Sequence, residues 1–526
     1  MIQTENLTLS FGGQTLFKDV NVKFLDGNCY GLIGPNGAGK STFLKILSGE
    51  IEPTSGSVAV APGKRIAILK QNQFEFDEFP VLETVLMGHK GLYHVYAERN
   101  ALYAKPELSN EEGEQVGKLE IMFADMDGYS AEPNAASLLS ELGIPEDLHT
   151  KKMGELEAGQ KIRVLLAQAL FGNPDILLLD EPTNQLDYST VMALEKFLLA
   201  FENTVIIVSH DRHFLNKVCT HIADLDFKNI HTYVGNYDFW EKSSQLITQQ
   251  KQDQHKKTTD KIKELEDFVR RFSANASKSK QATSRKKLIE KLRPDELPQS
   301  SRRAPFIQFK PSRPCGDSVL TVKDVSYALN GEPLVTNVSF TLQKGDKVAI
   351  VGPNSLSKTT LLRILAGDLP PDTGTVTWGP TITVGYFPKD NSRYFGENKS
   401  LLDWLAQYYE KSDPQHIRGL LGRMLFSGDA VMKKTSVLSG GEKARAMFSK
   451  LMMAEANALL FDEPTDHLDL ESISALNNGL IAFPEIVMVI SQDFELLNTV
   501  VNRVIEVTPA GMTDYHGTFE DFVGRS

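Results

Sequence analysis

Apolar positions along the 526-residue chain follow two spacings that alternate, and the whole series then repeats. Strand-like alternation runs up to Phe11, and unbroken apolar runs at Tyr30-Gly31-Leu32-Ile33, Ile176-Leu177-Leu178-Leu179 and Thr204-Val205-Ile206-Ile207-Val208 predict buried strands. Arg65-Ile66-Ala67-Ile68-Leu69-Lys70 predicts a further strand ending at Gln71. Phe43-Leu44-Lys45-Ile46-Leu47 has helical spacing, and Leu156-Glu157-Ala158-Gly159-Gln160 opens a predicted helix that runs through Leu170. Strands alternating with helices predict an α/β fold.

The turn between the first buried strand and its helix reads Gly34-Pro35-Asn36-Gly37-Ala38-Gly39-Lys40-Ser41-Thr42, and it recurs as Gly352-Pro353-Asn354-Ser355-Leu356-Ser357-Lys358-Thr359-Thr360 in the same predicted strand-to-helix setting. Other signals repeat in the same order. Ile46-Leu47-Ser48-Gly49 echoes Ile364-Leu365-Ala366-Gly367, and Asp180-Glu181-Pro182-Thr183 echoes Asp462-Glu463-Pro464-Thr465. The chain is a tandem duplication, with expected units 1–238 and 304–526. The first unit carries an insertion, because 84 residues separate Gln71 from Leu156 whereas 48 separate Lys389 from Leu438. Residues 90–135, with apolar positions at near-helical spacing around Pro106-Glu107-Leu108-Ser109-Asn110, predict a protruding helical hairpin. Between the units, residues 239–303 carry no sheet pattern. Ile262, Leu265, Phe268, Val269 and Phe272 make one helical stripe, a basic stretch follows, and Leu288, Ile289 and Leu292 resume before Pro294, which predicts a linker hairpin with a basic tip.

Chemistry enters at the turn. Polyphosphate must approach backbone N–H groups, so small residues line such a loop; the helix N-terminus adds partial positive charge, Lys40 reaches the outer phosphates, and Ser41 can ligate magnesium. The strand after Arg65 delivers Gln71, a polar residue that can reach magnesium or the attacking water. The run from Ile176 ends in two carboxylates: Asp180 can hold the magnesium shell, and Glu181 can polarise a water aimed at the terminal phosphate. The run from Thr204 delivers His210 to the same edge, where open parallel sheets bind their ligands. Phe11 and Tyr327 hold corresponding positions ahead of the two loops, where an aromatic can stack on adenine or serve as a core residue at a strand end.

Charge adds a possible partner. The net charge is −12, yet residues 241–303 hold 17 Lys+Arg against 9 Asp+Glu, leaving −20 for the remainder. Arg270, Arg271, Lys278, Lys280, Arg285, Lys286 and Lys287 cluster at the linker tip in a number that suits a phosphate backbone, and with no aromatic interleaving the expected contact is to RNA backbone or shape. No apolar run of about 18 residues is present, and Met1 leads directly into strand-like Ile2-Gln3-Thr4, so neither a spanning helix nor a signal peptide is expected and the protein is read as cytoplasmic. Cys29, Cys219 and Cys315 form no metal-spaced group and are expected as buried apolar residues.

Together, the two phosphate loops, the two Asp-Glu-Pro-Thr strand ends and the pentapeptide Leu438-Ser439-Gly440-Gly441-Glu442 resemble the ATP-binding-cassette superfamily over nearly the whole chain. The insertion, the basic linker and its text Phe272-Ser273-Ala274-Asn275-Ala276-Ser277-Lys278-Ser279-Lys280 resemble the ABC-F subfamily, in its YbiT-like branch. The resemblance implies two tandem P-loop ATPase domains joined by a helical hairpin, with ATP and Mg2+ as ligands. It implies a ribosome-associated ATPase that enters the tRNA exit site, meets large-subunit rRNA and P-site tRNA, binds neither membrane nor DNA, and pairs its cassettes within one chain. It further implies head-to-tail pairing: site one joins Lys40, Ser41, Gln71, Asp180, Glu181 and His210 to Ser439, Gly440 and Gly441. Site two, built on Gly352, Asn354, Ser355, Ser357, Lys358, Thr359, Thr360, Asp462, Glu463 and Gln492, departs from the pattern. Serines replace loop glycines, Lys389 and Gln492 replace the expected glutamine and histidine, and the partner pentapeptide reads Leu156-Glu157-Ala158-Gly159-Gln160. One hydrolytic site and one degenerate site are therefore expected. The competing reading is a tandem ATP-binding subunit of an importer, which has no evident need for the basic linker.

Overall fold

The structure, a computed structural model, describes residues 1–526 apart from 13, 70–73, 185, 187, 273–283, 285–286, 291–301, 409–412, 510 and 526. Each half is organised on a six-stranded sheet. In the first half the order is Asn229–Val234, His221–Asp226, Cys29–Ile33, Thr204–Val208, Ile176–Asp180, Ile66–Ile68, parallel except for the outermost pair at the Asn229–Val234 edge. The second half repeats it as Gly511–His516, Arg503–Thr508, Lys347–Val351, Ile486–Ile490, Ala458–Asp462, Val384–Phe387.

The unbroken apolar runs follow from burial of both sheet faces. Leu177, Leu179, Val205 and Ile207 enter one core with the helix Ala158–Leu170, while Ile176, Leu178, Ile206 and Val208 enter another with Phe17, Phe24 and Phe43. A parallel sheet covered on both faces leaves no solvent side for polar residues to occupy. Alternation survives in the smaller antiparallel sheet, where Ile2–Phe11 pairs with Gln14–Val20, Lys23–Phe24 and Ser55–Val60 and has one half-exposed face. All three cysteines are buried, as expected.

The insertion is helical but longer than the sequence predicts. Helices Lys90–Tyr103 and Asn110–Asp125 form the hairpin, the second opened by a Ser109/Glu112 capping box, and a third helix, Gly128–Glu141, continues beyond residue 135 because Ala131, Ala135 and Leu139 are buried in the same core. The linker begins as a 36-residue helix, Tyr237–Phe272, which is about 54 Å long at the usual rise. Tyr237 and Trp240 root it in the first half's core, and Ile262, Leu265 and Val269 are half-buried along the expected stripe. Among the described residues no helix is long and apolar enough to cross a membrane.

The halves meet through helices. Leu470 joins the first half's core, the Tyr188 ring stacks on Phe494 at 5.8 Å, and Arg212 donates to Ser474 Oγ at 3.1 Å. Arg302, near the end of the linker, pairs with Asp224 of the first half and Glu471 of the second, and its guanidinium lies 4.6 Å from the Trp240 ring centre.

Candidate nucleotide site between the halves

A cavity of about 460 Å³ opens at the interface, walled on one side by Asn36, Gly37, Gly39, Lys40, Ser41 and Thr42, and on the other by Thr465, Asp466, His467 and Leu468. The loop keeps its open shape through Gly37 at φ +78° and Gly39 at φ +100°, and the helix Lys40–Leu47 starts only after them. Side chains rarely adopt these angles, so glycine is needed at both. Lys40 is buried; its Nζ donates to the Gly34 and Pro35 carbonyls at 2.7 and 3.2 Å. Burial pushes its pKa down, opposed by Glu181, Asp469 and Glu471.

The carboxylates stand where the sequence places them. Asp180 ends its strand, adjoins the Ser41 hydroxyl, and has its pKa raised by burial. Glu181 adopts φ +50°, an unusual angle for glutamate that turns the side chain off the strand and into the cavity; Glu463 shows the same turn at φ +47°. Burial first, and Asp180 second, push the Glu181 carboxyl up to about 8. His210 is pushed down to about 3, by burial and then by Lys40, so it is neutral; its Nε2 stands 3.4 Å from Glu181 Oε1, and its backbone N–H donates to Glu181 Oε2 at 3.3 Å. Among the described residues, Glu181 Oε1 has no hydrogen-bond partner. An open glycine cradle, a buried lysine and an unsatisfied carboxylate oxygen fit a polyphosphate with a magnesium ion and a water; Ser41 and Asp180 are the described residues that would hold the metal.

A raised carboxyl pKa makes stability pH-dependent. Below about 4.5 the carboxyl is protonated in both folded and unfolded chains. As pH rises towards 8 the unfolded chain ionises first, so the stabilisation is lost. The melting temperature of the nucleotide-free protein is expected to fall from pH 5 to pH 8 more steeply than that of Glu181→Gln, read by differential scanning fluorimetry; parallel curves would refute a buried neutral Glu181.

The second half reaches this site through residues far away in sequence. Asn36 Nδ2 donates to the His467 carbonyl at 3.2 Å, across 431 positions. Ser439 caps the helix Gly440–Ala454. A Cβ at Gly440 would lie 3.0 Å from the His467 ring, and one at Gly441 2.9 Å from its carbonyl oxygen and 3.8 Å from Asn36 Nδ2, so the pentapeptide glycines are required by close approach to His467. Sequence reasoning missed His467 and Asp469, whose charge acts on Lys40 and His210. The available signal was the second repeat, Thr465-Asp466-His467-Leu468-Asp469 against Thr183-Asn184-Gln185-Leu186-Asp187.

Other expected residues fall elsewhere. Leu16, rather than the exposed Phe11, lines the cavity, and Tyr327 packs half-buried against the second half's core. Gln71 lies outside the described residues, as do Lys278, Lys280, Arg285 and Lys286. Of the other linker bases, Arg270 is exposed and pairs with Asp267 at 2.6 Å, Arg271 lies in the linker helix, and Lys287 is exposed on a helical turn.

The second phosphate loop differs in form from the first. It is not an open turn: the helix begins at Ser355, with Asn354 as its cap, whereas its counterpart begins at Lys40. Serine at 355 and 357 favours right-handed helical angles over the positive φ that glycine allows, so the chain coils three residues early. Gly352, Lys358, Thr359 and Thr360 keep their places around this turn, and Gln492 N–H donates to Glu463 Oε2 at 3.2 Å, matching His210 and Glu181.

A sequence family described as ABC transporter matches residues 17–184 and 335–466, and a second family of the same description matches 223–309. The chain is 56% identical over 526 residues to YkpA of Bacillus subtilis (strain 168), an uncharacterized ABC transporter ATP-binding protein, with 99% of this chain and 97% of the relative covered. It is 47% identical over 524 residues to the probable ATP-binding protein YbiT of Escherichia coli O157:H7, covering 99% of each. It is 33% identical over 537 residues to ABC transporter F family member 2 of Arabidopsis thaliana, covering 100% of this chain and 79% of that one. Its fold is similar to archaeal ribosome recycling factor aABCE1, solved with ribosomal stalk protein aP1, at a TM-score of 0.60 and 18% identity over 99% of this chain and 92% of that one.

Proposed function

Because the chain belongs to the ABC-F group of ATP-binding-cassette ATPases, which bind and hydrolyse ATP, we propose that it is a cytoplasmic, monomeric translation factor. It uses closure of its two halves on ATP to act at the tRNA exit site of the ribosome. The proposed units are 1–238, the linker 239–303 and 304–526. The observation that carries the closure is the Asn36–His467 hydrogen bond, which joins the phosphate loop of one half to the segment after the carboxylates of the other. A nucleotide held by the loop lies between two bodies, so its binding energy is available to bring them together.

In this reading site one is hydrolytic. Lys40 and the loop amides orient the phosphates, Glu181 accepts the proton of the attacking water, neutral His210 fixes Glu181, and Ser439 with Gly440 and Gly441 closes the site from the other half. Ser41 and Asp180, with Gln71, would hold Mg2+; what the metal supplies there, when bound, is neutralisation of phosphate charge. Site two is degenerate. The ribosome as partner rests on the family resemblance and on the segregated basic charge of the linker, whose lysines and arginines meet rRNA and P-site tRNA.

The test is co-sedimentation of ATP-loaded Glu181→Gln with ribosomes, beside a parallel assay with membrane vesicles. Pelleting with ribosomes at low and moderate salt is expected. Replacing Arg270, Lys278, Lys280, Arg285, Lys286 and Lys287 by glutamine should weaken that binding and flatten its salt dependence. Absence of ribosome binding at both salts would remove the reading, and recovery with vesicles would favour the importer subunit.

A further inference from the structure

We propose that the second composite site holds protein groups where the first holds phosphate and metal, so that each chain binds a single magnesium nucleotide. The inference rests on the site-one reading above and goes beyond it, because it makes site two a joint that takes no magnesium nucleotide of its own rather than a weak copy.

Three observations carry it. The first concerns the phosphate-binding amides. In the repeat, Asn354 Oδ1 accepts from Leu356 N–H at 2.8 Å and from Ser357 N–H at 3.2 Å, while its backbone carbonyl accepts from Lys358 N–H at 3.3 Å. A carboxamide oxygen thus stands where a phosphate oxygen would be received. The corresponding Asn36 turns outward to the His467 carbonyl instead.

The second concerns the metal. Lys389 replaces the glutamine expected at the end of its strand; its Nζ donates to Ser355 Oγ at 3.3 Å, which draws the ammonium over the serine that displaced a loop glycine. From there its charge acts on Asp462, Glu463 and Asp466, opposing the rise that burial imposes on all three. Asp462 and Glu463 are the carboxylates that correspond to Asp180 and Glu181. Lys389 bonds neither carboxylate, and Asp462 Oδ1 and Oδ2 and Glu463 Oε1 have no hydrogen-bond partner among the described residues, so the lysine acts through charge alone, supplying part of what a divalent metal brings elsewhere and repelling a second cation.

The third concerns the interface. Tyr188, directly after the first half's Leu186-Asp187, stacks on Phe494, which follows Gln492-Asp493, and Phe519 meets both rings at 6.1 and 5.6 Å. This seam joins the halves through apolar contact that needs no nucleotide.

The test counts Mn2+, substituted for Mg2+, bound to the Glu181→Gln chain in saturating ATP by electron paramagnetic resonance. One Mn2+ per chain is expected, lost in Asp180→Asn and kept in Asp462→Asn. Two per chain, or one that survives Asp180→Asn and disappears in Asp462→Asn, overturns the proposal. A chain carrying Ser355→Gly, Ser357→Gly and Lys389→Gln should take a second Mn2+, with the site-one ion as its internal check of folding. If it still takes one, Asn354 and Lys389 are not what excludes the metal. Failure of the site-one reading would show separately, as unchanged ATP turnover in Glu181→Gln.

Discussion

Replacing Glu181 by glutamine is expected to lower ATP turnover by about 10²- to 10⁴-fold, the usual worth of a positioned base, while Glu463→Gln changes it little. Glutamine keeps the volume and the hydrogen bond from the His210 N–H but cannot accept the proton of the attacking water. A base works best when its pKa lies near the working pH, and Glu181 sits at about 8 before nucleotide binds. Glu463 is a revealing control. It is buried, has the same left-handed backbone turn and is pushed up to about 7, so the carboxylates alone do not separate the two sites. What separates them is the loop each faces: open at Gly37 and Gly39, coiled at Ser355 and Ser357. Steady-state phosphate release from the two variants decides the matter, and equal losses would sink the asymmetry.

Arg302→Met is expected to destabilise the junction of the halves by about 3–5 kcal/mol, the usual cost of removing one partner from a buried ion pair. Arg302 is 12% exposed, and it bridges Asp224, 10% exposed, to Glu471, 18% exposed. Removing the guanidinium leaves Asp224 buried with only the Trp240 indole N–H, at 3.1 Å, among its described donors. It also releases Glu471 from the first half. Urea titration followed by tryptophan fluorescence reports the loss through Trp240, whose ring contacts the guanidinium. Arg302→Lys should recover part of it, because the charge returns without the fork that reaches both carboxylates. A midpoint for Arg302→Met indistinguishable from that of the parent would show that the bridge contributes nothing to docking.

Much of this protein is local, and the local part is legible in its sequence. The runs Ile176–Leu179 and Thr204–Val208 announce a sheet covered on both faces because burial of both faces removes every reason for polar alternation. The turn from Gly34 to Thr42 announces its chemistry because only glycine opens the loop and only a lysine at the helix start reaches into it. Duplication is legible because the same local rules are written twice. In the second loop the serines at 355 and 357 are legible as departures from the glycine pattern, and the structure adds the form the departure takes: the helix starts at Ser355.

Tertiary structure decided the rest. Residue 36 meets residue 467, Asp469 bears on Lys40, and Arg302 joins strand His221–Asp226 to helix Leu470–Ala482. None of these pairings has a periodicity or spacing to announce it. Each depends on the relative placement of two separate sheets, and that placement is set by shape and charge over the whole interface rather than by neighbours along the chain.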